Sequence, residues 1–179
     1  MSVKKELSGR RSVQVEEVPG STQSAVARRS AEAELRTLIA KFAAAHLRLI
    51  GAMRRSLRKR LPTAYEVVYE YRNQGAVVIS VSPNEHGYEG ALAIRADADG
   101  VKLYFNQGKE LPDPAKLLQG SSQTRFIDVE GASTLARPEV ACLIDEAIAR
   151  NPAPFARAGR GSVVIRSTSA KKRRQGRSA

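Results

Sequence analysis

The chain has 179 residues, of which 30 are lysine or arginine and 18 aspartate or glutamate, for a net charge of +12. That length suits one domain with tails, and with no tryptophan and 5% aromatic residues among 42% apolar ones its core must be aliphatic. The single cysteine, Cys142, excludes an intramolecular disulfide and any zinc site built from cysteines.

Net charge is unevenly spread. Residues 1–30 sum to +3, 31–61 to +6, 62–150 to −5 and 151–179 to +8. The centre is therefore mildly acidic, while the basicity sits in one helical segment and the C-terminal tail. This distribution argues against the fold itself being a nucleic-acid reader. The N-terminal stretch MSVKKELSGRRSVQVEEV has no apolar run of signal-peptide length. No segment approaches the roughly 20 apolar residues of a membrane span. The expectation is a cytoplasmic protein with no membrane partner.

Residues 1–25 are polar, mixed in charge and without period, and are expected to be disordered. From Ser30 a helical period begins: Leu35, Leu38, Ile39, Phe42, Leu49, Ile50, Met53 and Leu57 recur at spacings of three, four and seven. Acidic residues near its start and Arg54, Arg55, Arg58, Lys59 and Arg60 near its end match the helix dipole. Gly51 is the expected point of division into two helices, and Pro62 ends the run.

The period then changes to two. Ala64–Tyr71 puts Tyr65, Val67, Tyr69 and Tyr71 on one face and Glu66, Val68 and Glu70 on the other. Glu66 and Glu70 would lie about 13 Å apart, too far for a catalytic pair, on an expected solvated face. Ala76–Val81 reads as a central strand, and Ala91–Ala96 and Val101–Asn106 as a hairpin joined through Asp99-Gly100. Asp113-Pro114 opens an expected short helix over Ala115–Gln119, closed by Gly120. Thr124–Val129 is the next strand, Pro138–Arg150 the last helix, and Ser162–Ser167 a final edge strand. The fold class is α+β: a mostly antiparallel sheet of five or six strands with helices packed on one face. Three regions are expected: a disordered segment 1–25, a domain 26–150, and an extension 151–179 ending in a basic tail.

Several ordered pieces resemble one family. Leu57-Arg58-Lys59-Arg60-Leu61-Pro62 followed by Glu66-Val67-Val68-Tyr69 is similar to the opening of YdhG-like domains, the domain-of-unknown-function-1801 family. Val101–Phe105 with Gly108, Leu111–Pro114, Leu117–Gly120, Arg125 and Pro138 continue the pattern. The resemblance spans about residues 45–150. It implies an α+β sandwich of mostly uncharacterised role, some members being frataxin-like intracellular iron chaperones. Iron is thus a cofactor implied by resemblance only; the residues themselves call for none. Many members have Gly-Met-Pro after the first strand, where this chain reads Tyr71-Arg72-Asn73-Gln74-Gly75.

Lys116, Gly120, Ser121 and Arg125 are an anion-binding candidate, since amides after a helix end can form a nest flanked by cations. The structural reading outweighs it, because phosphate loops usually precede a helix rather than follow one. Glu85, His86 and Glu89 share a loop and offer two carboxylates and an imidazole to a metal, against the reading of a solvated polar loop. His46 is read as a packed or capping residue, and Cys142 as a small filler. Lys171, Lys172, Arg173, Arg174 and Arg177 would attract nucleic acid weakly and without sequence preference, or simply solvate the tail. No nucleophile–base pair, metal motif or nucleotide loop is visible. The expected function is non-enzymatic: an accessory protein with an unknown protein partner or metal, iron handling being its most specific version. The alternative is a nucleic-acid-associated protein acting through its tail.

Overall fold

Residues 23–167 are described by the computed structural model. They run in the order α1 (Ala25–Ile39), α2 (Ala44–Arg60), β1 (Tyr65–Tyr71), β2 (Ala76–Ser82), β3 (Leu92–Asp97), β4 (Gly100–Phe105), β5 (Arg125–Asp128), α3 (Pro138–Ala149) and β6 (Val163–Ser167). The strands form one sheet in the order β5-β4-β3-β2-β1-β6. Every neighbouring pair is antiparallel except β1 with β6. The architecture is α+β, with α2 over β3 and β4, α3 over β3 and α1 beside β6.

Alternation along the strands builds the core. Ile165, Val68, Ile79, Ile94, Leu103 and Ile127 are aligned across all six strands by the register. This aliphatic row meets Leu35 of α1, Ile50, Met53 and Leu57 of α2, and Val140, Leu143 and Ile144 of α3 in one cluster. Phe105, fully buried, is its largest member. A sheet that is apolar on one face must be covered there, and the helices cover it.

Two expected elements come out differently. The first helical run divides at residues 40–43, not at Gly51, which lies inside α2. A glycine within a helix costs only about 1 kcal/mol, less than is gained when the division lets Leu35 enter the same core as Ile50 and Met53. The expected helix over Ala115–Gln119 is absent. Asp113 instead accepts from the amides of Leu117 (2.9 Å) and Leu118 (2.8 Å), holding a turn. A short aspartate side chain that satisfies backbone amides competes directly with helical bonding. Lys116 takes a left-handed φ of 54° within that turn.

The last strand is more than an extension. β6 pairs with β1 from Glu66↔Val163 to Glu70↔Ser167, and Val163 is buried. Its approach depends on Gly161, whose amide donates to the Pro62 carbonyl at 2.8 Å. A Cβ there would strike the Ala64 carbonyl oxygen, so only glycine fits. On the outer edge the Gln23 side-chain amide donates to the Val163 carbonyl (2.7 Å) and accepts from its N–H (3.1 Å), as a neighbouring strand would. The expected disordered residues up to 22 and the basic residues of the tail lie outside the described residues.

Candidate functional site

The first candidate follows from small residues. On α2, Ala45, Leu49 and Ala52 lie on one side of the helix, with Arg48 and His46 beside them. Facing them are Gly100 and Val101 at the start of β4, and Val129, Gly131 and Ala132 after β5. Alanine and glycine on both walls leave a cleft of about 620 Å³, with Asp99 and Glu130 on its rim. That volume is within the usual range for small-molecule sites. Its chemistry is an apolar floor with carboxylates and an arginine at the edge. His46, expected to be packed or capping, is half-buried here. It also lines a second hollow of about 260 Å³ with Lys41, Phe42, Gly75 and Asp97.

The second feature was invisible to the strand pattern. Glu66 was expected on a solvated face; it is 3% exposed, beneath the helices. Arg54 of α2 meets it with Nε 3.2 Å from both carboxylate oxygens and Nη2 2.5 Å from Oε2. The same guanidinium donates to both oxygens of Glu32 on α1 at 3.0 Å. Arg58 Nη2 lies 2.5 Å from Glu32 and 2.5 Å from Glu66. Two arginines and two carboxylates thus tie α1, α2 and β1 together. Burial by itself would raise the Glu32 carboxyl, but hydrogen bonds from Arg54 and Arg58, and their charge, bring it down to about 2 from its ordinary 4.5. The Arg54 guanidinium, despite burial, is held above its ordinary range by the Glu66 and Glu32 contacts. A carboxylate with a depressed pKa contributes stability that is complete above its unfolded pKa and is lost as pH falls through the folded one. Urea midpoints are therefore expected to fall between about pH 5 and pH 2, with Glu32 accounting for about 1–2 kcal/mol once solvent screening of its partly exposed carboxyl is allowed for. In Glu32→Gln, equilibrium unfolding should show that part of the acid sensitivity removed.

The other expected sites are placed as follows. Glu85, His86 and Glu89, weighed above as metal ligands against a solvated polar loop, each have another contact. Glu89 accepts from the Asn84 amide, Glu85 lies 3.5 Å from Arg166, and His86 stacks on Tyr88 at 5.6 Å. The loop is held to β2, with Ser80 donating to the Gly87 carbonyl and Ser82 to the His86 carbonyl. No group of three or more histidine, cysteine, aspartate or glutamate side chains among the described residues is arranged to hold a metal ion. In the anion candidate, Arg125 and Gly120 do meet, but the guanidinium donates to the Gly120 carbonyl. Gln119 and Phe126 pair through both backbone groups, closing the loop as a hairpin. Lys116 and Ser121 are exposed beside it. Cys142 is exposed on α3 rather than a filler. Lys171, Lys172, Arg173, Arg174 and Arg177 lie outside the described residues.

Sequence reasoning missed the cleft and the ion network. The alanines at 45 and 52, seven apart on one helix side, were the readable signal for the cleft. Glu32, Arg54, Arg58 and Glu66 were readable only as charges. No helix among the described residues is long and apolar enough to cross a membrane. In comparison with known proteins, no family model, no curated protein and no solved structure matches the chain.

Proposed function

We propose that the chain is a small cytosolic accessory domain of YdhG-like type that binds a ligand or partner and catalyses nothing. The cleft between α2 and the residues flanking β4 and β5 carries this reading, because it joins an apolar floor to a few polar groups on a rigid scaffold. No serine, threonine, cysteine or lysine lines it; its titratable groups are His46, Arg48, Asp99, Asp128 and Glu130. Iron as cargo would need ligands other than the Glu85–Glu89 loop. A fragment cocktail screened by amide NMR should shift the signals of Ala45, Leu49, Ala52, Val129 and Ala132. Ala52→Leu, which fills the cleft, should abolish those shifts while leaving unfolding within about 1.5 kcal/mol of wild type. Fragments that shift other surfaces, and ignore the leucine, would remove the cleft from consideration.

A second reading is a nucleic-acid-associated protein whose basic tail supplies affinity. It is favoured by a folded feature, the exposed Arg58, Lys59 and Arg60 at the end of α2, of which Arg58 also pairs with Glu32 and Glu66 and Arg60 with Asp145. Truncation after Ser167 should then weaken retention of DNA or RNA at low salt.

A further inference from the structure

Further arginines stand beside the ion network. Arg28 of α1 donates to the Gly161 carbonyl, which places it beside Arg160. Glu32, one turn further along α1, holds Arg58 of α2. Three chain segments thus deliver Arg28, Arg58 and Arg160 to one corner, outside the shielded Arg54. Four guanidiniums (Arg28, Arg54, Arg58, Arg160) face two carboxylates (Glu32, Glu66), leaving two positive charges over. Neither Arg28 nor Arg160 has a carboxylate within 4 Å among the described residues, and Arg160 is exposed. The Arg58 side chain is 43% exposed. Burial, and then the charges of Arg160 and Arg58, push Arg28 below its ordinary range, with Glu32 and Glu66 offsetting only part of this. Converging like charges from separate segments costs free energy that a purely structural tie would avoid.

We propose that Arg28, Arg58 and Arg160 form a binding site for the phosphodiester backbone of a nucleic acid. This rests on the second reading above and moves part of the affinity from the tail to the folded domain. Guanidinium forks match phosphate oxygens, and an arginine triad with two charges unneutralised is complementary to them. The corner is open, and none of the clefts described above is lined by these arginines, which suits an extended backbone better than an enclosed small phosphate. β6 starts at Val163, two residues after Gly161, and runs five residues to Ser167. The corner precedes β6 and residue 168 follows it, and the ends of that strand are about 13 Å apart at the usual rise.

The test is fluorescence anisotropy of a labelled single-stranded DNA oligomer against the full chain, repeated over a salt series. The proteins are wild type, Arg160→Gln, the Arg28→Gln/Arg160→Gln pair, the chain truncated after Ser167, and Lys109→Gln as an exposed charge control. Arg160 makes no hydrogen bond among those described, so its glutamine variant keeps the fold. Arg160→Gln should weaken binding about three- to fivefold and reduce the salt slope by about 1; the pair should weaken it about tenfold. Lys109→Gln should change it less than twofold. Inorganic phosphate should compete better than chloride at equal ionic strength. If the truncated chain loses binding while both arginine variants match Lys109→Gln, the nucleic-acid reading survives and the arginine site is overturned. If wild type does not bind the oligomer at low salt, both fall. If inorganic phosphate binds tightly and the oligomer does not displace it, the site is for a small phosphate and the backbone proposal is wrong.

Discussion

Arg54→Ala should destabilise the protein by about 3–5 kcal/mol, because it strands two carboxylates under the helices. Glu66 keeps only 5% side-chain exposure and Glu32 19%, so water cannot replace the lost guanidinium. Arg58 reaches both carboxylates but has 43% of its own side chain in solvent, and a single fork cannot fill four oxygen positions. The loss should exceed that of Arg58→Ala. Replacing the three shielded members by apolar residues, as Arg54→Met/Glu32→Leu/Glu66→Leu, with the 43%-exposed Arg58 left to solvent, should return stability to near the wild-type value or above it. Urea unfolding of the three proteins decides the matter. A triple variant no better than Arg54→Ala would mean that the ion network itself, not the uncompensated charge, carries the stability.

Leu35→Ala should cost roughly 2–5 kcal/mol, with an uneven effect over the molecule. Leu35 is the only buried residue of α1 and is 0% exposed. The helix is otherwise attached by Glu32 to α2, by Arg28 to the Gly161 carbonyl, by Gln23 to β6 from just before its start, and by the partly buried Ala31, Leu38 and Ile39. Removing the leucine takes the one fully buried apolar contact from a helix whose remaining ties are polar or partly solvated. Hydrogen exchange should accelerate most at the amides of Ala25–Ile39, while those of β2 and β3, in the middle of the sheet, stay protected. Uniform acceleration through the chain would show that α1 belongs to the global folding unit. Because Arg28 rides on α1, the same variant should also loosen the arginine corner.

How legible this was differed from element to element. The runs Ala64–Tyr71, Ala76–Val81 and Val101–Asn106 named their strands, the first by alternation and the second by apolar residues on both faces, because these patterns are local. The hairpin was placed at Asp99-Gly100. In the fold Ala98 and Asp99 form the turn, while Gly100 opens β4 with φ 144°, a conformation that suits glycine. The helix over Pro138–Ala149 was readable from Val140, Leu143, Ile144 and Ala147. Glu66 was misplaced for a physical reason: alternation says which residues share a face, but not which face is covered. With tyrosines on one side and glutamates on the other, burial of the tyrosines was the natural expectation. Val68, sharing Glu66's face, was the better guide.

The sequence by itself therefore determined the class of the protein: an aliphatic α+β fold whose strands and helices are written in local periods, with basicity concentrated outside its acidic centre. Tertiary structure alone decided where the first helical run divides, that β6 runs parallel beside β1, and that the Glu85–Glu89 loop is held to β2. It also decided that Glu32, Arg54, Arg58 and Glu66 meet, and that Arg28 and Arg160 join them from opposite ends of the chain. The reason is one of range. Hydrophobic period and turn chemistry act over a few residues and are visible in order, whereas charge pairing and cleft formation depend on distances that exist only once the helices are laid on the sheet.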